Sequence, residues 1–288
     1  MSKTLLTDEL ADRDLMKSGP NDPDDPGRRS WLPLAILAIL LILILGLGGA
    51  YLYVRRQRPA PVQQAQSQPA EGVKVRQDPA ELIKLPPLDQ TDPLIRQLVV
   101  ELSSHPVVAA WLTTERLITN FVVVTGKIAD GQTPVAELKA IGPVPAFHVR
   151  TSKGTILIDP ASYRRYDRYA QAVAGLDARG TVRLYETVKP RIVEADRLFG
   201  GSGAFDAILE RAIVELLNVP VVEGDVPLKM TGIGYAYADP RLEALSPAQK
   251  QLLRMGPANV RIVQTKLREI ASYLAIPESR LPRPTQVP

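Results

Sequence analysis

The chain of 288 residues contains no cysteine, only two histidines and two tryptophans, and 5% aromatic side chains in all. Without thiols it can build no disulfide scaffold, no thiolate-bound zinc or iron–sulfur centre and no cysteine nucleophile. A surplus of one charge is also lacking: 35 Lys and Arg stand against 31 Asp and Glu, and residues 81–288 carry 25 against 22. That balance is too even for the basic footprint of a nucleic-acid binder, so no nucleic-acid partner is expected. A Gly-x-Ser-x-Gly elbow is missing, and Gly200-Gly201-Ser202-Gly203 lacks the Lys-Ser/Thr that a phosphate-cradling loop needs. It reads instead as a helix C-cap with Ser202 near the next helix start. No cofactor and no metal are expected.

What the sequence does have is proline, 26 residues of it, and one long hydrophobic run. From Trp31 to Val54 there are 24 residues without a charge. As a helix they exceed the roughly 30 Å hydrocarbon core of a bilayer. Trp31, Tyr51 and Tyr53 stand at the ends of the run, where amphipathic rings settle at headgroups, with Arg28, Arg29, Arg55, Arg56 and Arg58 just outside. The run is too long for a cleaved signal peptide and predicts an uncleaved single-pass anchor. Flanking charge ties across it and leaves the orientation undecided. Gly46 and Ala50 form a small-xxx-small pair that allows a homodimer through the span, although an ordinary flexible helix end is the plainer reading. Residues 1–30, with five basic and seven acidic side chains, read as a disordered acidic tail, and 55–80 as a Pro- and Gln-rich tether.

Residues 81–275 carry the periodic sequence of one globular domain. Helix starts are predicted at Asp92-Pro93, at Pro106, at Asp159-Pro160, at Thr181, after Gly200-Gly201, at the capping box Ser246-Pro247-Ala248-Gln249 and at Pro257. The last of these places Val260, Val263, Leu267, Ile270, Ala271 and Leu274 on one arc. Two hairpins interrupt the helices. In one, Val226, Leu228 and Met230 alternate up to Thr231-Gly232 and Ile233, Tyr235 and Tyr237 alternate away, pairing 230 with 233, 228 with 235 and 226 with 237. The other runs from Phe147 to Val149 and from Thr155 to Ile158. The fold class is α+β, predominantly helical, with both hairpins in a small antiparallel sheet. Residues 276–288 are Pro-rich and expected to be mobile.

Three stretches resemble a known family: Leu85-Pro86-Pro87-Leu88-Asp89; Leu157-Ile158-Asp159-Pro160-Ala161-Ser162-Tyr163-Arg164-Arg165-Tyr166-Asp167; and Gln249-Lys250-Gln251-Leu252-Leu253-Arg254-Met255-Gly256-Pro257-Ala258-Asn259. They are similar to those of the bacterial domain of unknown function family 3014, over about residues 81–275. The resemblance implies a Gram-negative inner-membrane protein with its domain in the periplasm. It brings no activity, substrate or site.

His105, beside a helix-starting proline, reads as a cap, and His148 as a strand residue; they share no metal-ligand spacing. On a continuous helix Tyr163, Tyr166 and Tyr169 face away from Arg164, Arg165 and Arg168, which puts the tyrosines in the core and the arginines outside, open to an anionic partner or headgroups. Gly256-Pro257 reads as a tight corner whose Asn259 meets free backbone N–H groups, with a polar ligand site at Arg254 and Asn259 as the functional alternative. Carboxylates such as Glu186, Glu194, Asp196, Glu210 and Glu215 read as a solvated face. Two expectations follow. One is a non-catalytic, membrane-tethered periplasmic interaction or scaffold domain that recognises an envelope protein through Arg164, Arg165, Arg254 and Asn259. The other is an enzyme or small-ligand sensor for an anionic envelope component, using His148, Asp159 and Arg254.

Overall fold

Among the described residues proline stands in the first turn of five helices, its fixed φ and missing N–H costing nothing there. The computed structural model describes residues 85–134, 137, 146–232 and 234–287, with the backbone alone at 101, 286 and 287. The acidic tail, the 31–54 run, the tether, Gly46 and Ala50 lie outside the described residues. Among the described residues no helix is long and apolar enough to cross a membrane.

Helices α1 (Asp92–Leu102), α2 (Pro106–Trp111) and α3 (Leu117–Ala129) come first. One turn of α1 satisfies the backbone groups left open between the other two. The Asp92 carboxylate accepts from the N–H of Arg116 at 2.7 Å and of Leu117 at 2.9 Å, and Arg96 donates to the carbonyls of Leu112 at 2.8 Å and Thr114 at 2.9 Å. His105 caps α2 as its sequence position predicts: Nδ1 accepts from the N–H of Val107 at 3.2 Å.

Strands β1 (Val149–Ser152) and β2 (Thr155–Ile158) form the first hairpin, and its turn residues Lys153 and Gly154 both have positive φ, 49° and 78°. There follow α4 (Ala161–Arg164), α5 (Asp167–Ala174), α6 (Ala178–Leu198), α7 (Phe205–Leu217), β3 (Val221–Val222), β4 (Pro227–Thr231) and β5 (Gly234–Tyr237). The two hairpins join as expected into one antiparallel sheet in the order β1-β2-β4-β5. The second hairpin differs in register from the sequence expectation: Leu228 faces Tyr237, Met230 faces Tyr235 and Thr231 faces Gly234. The closing turn thus lies between Thr231 and Gly234, where Gly232 takes φ 55°, a conformation that glycine adopts freely. Position 233 lies outside the described residues. Helix α6 starts at Ala178, three residues before Thr181, and holds Pro190 inside it.

The chain closes with α8 (Pro240–Glu243), α9 (Pro247–Leu253), α10 (Pro257–Tyr273) and β6 (Gln286–Val287). Both halves of the Ser246–Gln249 capping box are formed. Helix α7 packs against α3 and α10, and α10 also lies on α5 and α6. Phe121 and Phe205, both fully buried, join α3 to α7 with ring centroids 5.1 Å apart. Gln264 of α10 is buried at the end of α7, where Nε2 faces the carbonyls of Val219 at 2.8 Å and of Leu216 and Leu217 at 3.3 Å. The stretch after Pro277, expected from its prolines to be mobile, is instead laid along the domain. Leu281 is buried, Arg280 meets Glu210 at 3.1 Å, and β6 pairs in parallel with β3.

Candidate functional site

The residues singled out from the sequence fall around one corner, where α4 and α5 meet α9 and α10. The helix expected to run from Asp159-Pro160 through Tyr163, Tyr166 and Ala170 is broken at Arg165-Tyr166, and the break changes the facing of the side chain that stands at it. Tyr166 and Tyr169 are in the core, as expected, and Arg164 and Arg168 are exposed. Arg165, expected outside, is only 8% exposed. Its guanidinium lies 4.7 Å from the Tyr166 ring centroid and 5.4 Å from that of Phe147, and Nη2 donates to the Tyr166 hydroxyl at 2.7 Å. Such a delocalised cation is weakly hydrated and tolerates a wall of π faces. Burial pulls Arg165 below its ordinary pKa; the Tyr166 oxygen opposes that shift, and the like charge of Arg254 adds to it. Burial pushes Tyr166 and Tyr169 up, so both hydroxyls stay neutral.

Arg254 caps α9 and is 3% exposed, with Nη1 3.5 Å from Oε1 of the buried Gln251. Gly256 follows at φ 80° and ψ 163°, a region essentially closed to other residues. A Cβ there would lie 2.5 Å from Cγ of Tyr163, so the glycine also lets that ring pack on the backbone. Burial, with Asp225 adding, pushes the Tyr163 hydroxyl up to about 12. Asn259 works in the opposite sense to its sequence expectation. Nδ2 faces acceptors, Asp167 Oδ1 and the Met255 carbonyl at 2.9 Å and the Tyr163 carbonyl at 3.3 Å, and so ties α10 to the α4–α5 break.

The trio suggested for catalysis is divided between two environments. His148 is exposed, and its N–H and carbonyl both meet the Ser162 hydroxyl, at 2.7 and 2.8 Å. Asp159 donates its N–H to the His148 carbonyl at 3.1 Å and spends Oδ1 on the N–H of Ala161 at 2.7 Å, a turn-stabilising contact. These two meet through backbone, while the Arg254 guanidinium lies with Arg165 and Gln251. Other carboxylates are similarly engaged. Asp196, expected on a solvated face, is buried and accepts from the N–H of Gly203 at 2.8 Å. Glu186 and Glu194 keep to the expectation, paired along α6 with Lys189 at 3.6 Å and Arg191 at 2.6 Å. The corner is thus a fastening, with Arg164 and Arg168 left at its surface.

A groove not anticipated from the sequence opens elsewhere, along α7. It has a volume of about 460 Å³ and is lined by the apolar Ala129, Ala207 and Val214 and by the charged Glu210, Arg211, Glu215 and Arg280. Its charges are held by residues from distant parts of the chain: Glu210 by Arg280, Arg211 by Asp130 at 3.4 Å, and Glu215 by the Ser246 hydroxyl. Glu210 and Glu215 were visible as carboxylates on one helix. Arg280 was hidden by its place in a Pro-rich stretch that had no visible reason to fold back.

Residues 117–271, just over half of the chain, match the family model described as "Protein of unknown function (DUF3014)". No curated protein and no solved structure matches the chain.

Proposed function

The chain belongs to the DUF3014 family, a family of unknown function, and from that premise we propose that it is a non-catalytic, membrane-tethered interaction domain of the cell envelope, facing the periplasm. The observation that carries the interaction reading is the α7 groove, where three apolar side chains lie among two carboxylates and two guanidiniums. Its ion pairs are exposed and individually weak, so a polypeptide bearing both charges can replace them at little cost. Its walls are rigid, because α7 is gripped by α3, α10 and the capped start of α9. The tethered, envelope-facing part of the reading is supported by the uncharged run from Trp31 to Val54, by the Pro- and Gln-rich stretch after it, and by the family resemblance. A protein partner, not a small molecule, suits a groove this open and this charged.

Two measurements on intact cells test the reading. The chain has no native thiol, so single cysteines at Ser18 and Ser279 report sidedness to a membrane-impermeant reagent; labelling at 279 alone is expected, and labelling at 18 alone overturns the periplasmic assignment. A photo-crosslinking residue in place of the exposed Ala207 is expected to give one discrete adduct that Arg211→Glu abolishes. An adduct indifferent to that reversal overturns the groove as the interaction surface.

A further inference from the structure

Helix α6 ends in two large apolar side chains turned to solvent: Leu198 is 72% exposed and Phe199 59%. They are not a frayed end. The buried Asp196 carboxylate folds the following glycines back by accepting the N–H of Gly203, and its carbonyl accepts that of Gly201 at 2.9 Å. Gly200 and Gly203 each take φ 83°, and a Cβ at Gly203 would meet Nε of Arg197 at 2.9 Å. The turn is therefore built to hold Leu198 and Phe199 outward. From Leu198 to Phe205 the chain carries no charge; Arg197 stands exposed at one edge of that stretch, and at the other the Asp206 carboxylate is engaged by Lys189 and Tyr185 of α6. An apolar tip bordered by a cation matches the boundary between acyl chains and anionic headgroups.

The path of the chain points the same way. At its entry to the domain the carbonyls of Leu85 and Pro86 accept from Arg191 of α6, at 3.0 and 2.7 Å. Leu198 follows Arg191 by seven residues, so on a helix the two share a face, about 10 Å apart along the axis. The entering chain and the apolar tip thus lie on one side of α6. Thirty residues, 55–84, separate the 31–54 run from this entry, a number that covers roughly 30 Å even as a random coil and so allows the tip to reach the bilayer.

We propose that the Leu198–Phe199 tip is a second membrane contact, seating in the headgroup boundary of the bilayer that holds residues 31–54. The contact rests on the tethered reading above and adds a fixed orientation to it: α6 end-down, with the α7 groove held at a set height. Two exposed side chains give a weak contact, which becomes effective because the tether makes it intramolecular.

The test uses the full chain reconstituted into vesicles of phosphatidylethanolamine and phosphatidylglycerol, with an environment-sensitive fluorophore on a single cysteine at Phe199→Cys or, as a control on another helix, at the exposed Ser272→Cys. With brominated acyl chains, emission at 199 is expected to fall at least twofold, with emission at 272 unchanged. A second pair keeps Phe199 in place: a label at Ser202→Cys is expected to be quenched in the parental chain and not in the Leu198→Asp/Phe199→Asp variant. Chain that floats with the vesicles but shows no quenching at 199 or 202, or equal quenching at 272, overturns the contact and leaves the anchor intact. Emission shifted to the blue yet unquenched by bromine overturns it in favour of a second protein copy on the tip. Chain that fails to float overturns the anchor reading itself.

Discussion

A guanidinium removed from water keeps its charge, so its surroundings must replace the lost hydration. At Arg165 two aromatic rings and the Tyr166 hydroxyl take part in doing so, and the side chain serves as a plate between Phe147, two residues before β1, and Tyr166 at the start of α5. Its neighbour Arg164 lies in water. Arg165→Ala is expected to cost about 2–4 kcal/mol, through lost packing as much as lost charge, whereas Arg164→Ala should stay within about 0.5 kcal/mol. Urea unfolding of the full chain in detergent reads both, and equal losses would contradict the burial of one and the exposure of the other. The alternation of Tyr and Arg at this place was plain in the sequence. Its meaning was not, because residues 161–174 contain no Gly or Pro to mark a break, and a helical wheel laid over an interrupted helix assigns the wrong face to whatever stands at the interruption.

Pairing of elements adds what no single residue shows. Between α6 and α7 the Asp206 carboxylate accepts from the Tyr185 hydroxyl and from Lys189 Nζ, the latter at 2.8 Å. Burial pushes Asp206 up, but the hydrogen bonds of Lys189 and Tyr185 outweigh it and hold the group below the usual carboxylate range. A carboxyl group with a depressed folded pKa stabilises fully above its unfolded value, near 4, and loses that contribution as pH falls through the folded one. The stability gap between the parental chain and Asp206→Asn, below about 1 kcal/mol for so exposed a pair, should therefore be flat at neutral pH and close as pH falls below about 4. Denaturant midpoints across that range check it; a gap independent of pH would rule out the carboxylate as its source. Helix starts were the most legible elements, since Pro at the first turn and the Ser246–Gln249 box act within one turn. The register of the second hairpin was not legible. Sliding the pairing from 228 with 235 to 228 with 237 leaves the same side chains on the same faces, so alternation fixes the face and only the turn fixes the register.

At the scale of the molecule, the family match covers residues 117–271, yet the structure continues on both sides of them. Before them, Arg191 grips the entering chain at Leu85-Pro86. After them, residues 277–287 strap α7 and α10 together: Arg280 reaches Glu210, Arg268 reaches the Pro282 carbonyl and Glu278, and Leu281 enters the core. Composition pointed to a loose end because proline excludes helix and removes donors. The strap needs no α-helix: a short 3-10 turn at Glu278–Arg280 and the pairing of β6 with β3 use its few backbone donors, and side chains of α7 and α10 hold its carbonyls and charges. Deleting residues 278–288 removes a buried leucine and its ion pairs at once and is expected to cost about 2–4 kcal/mol, lowering the melting temperature in a single transition. The same deletion takes Arg280 from the α7 groove and leaves Glu210 without that partner, so the Ala207 crosslink should weaken even at temperatures where the domain stays folded. Leu281→Ala separates the two effects: it opens the core and leaves Arg280 in place, so it should lower the melting temperature and spare the adduct. If both variants melt as the parental chain does, the strap is not part of the folded unit.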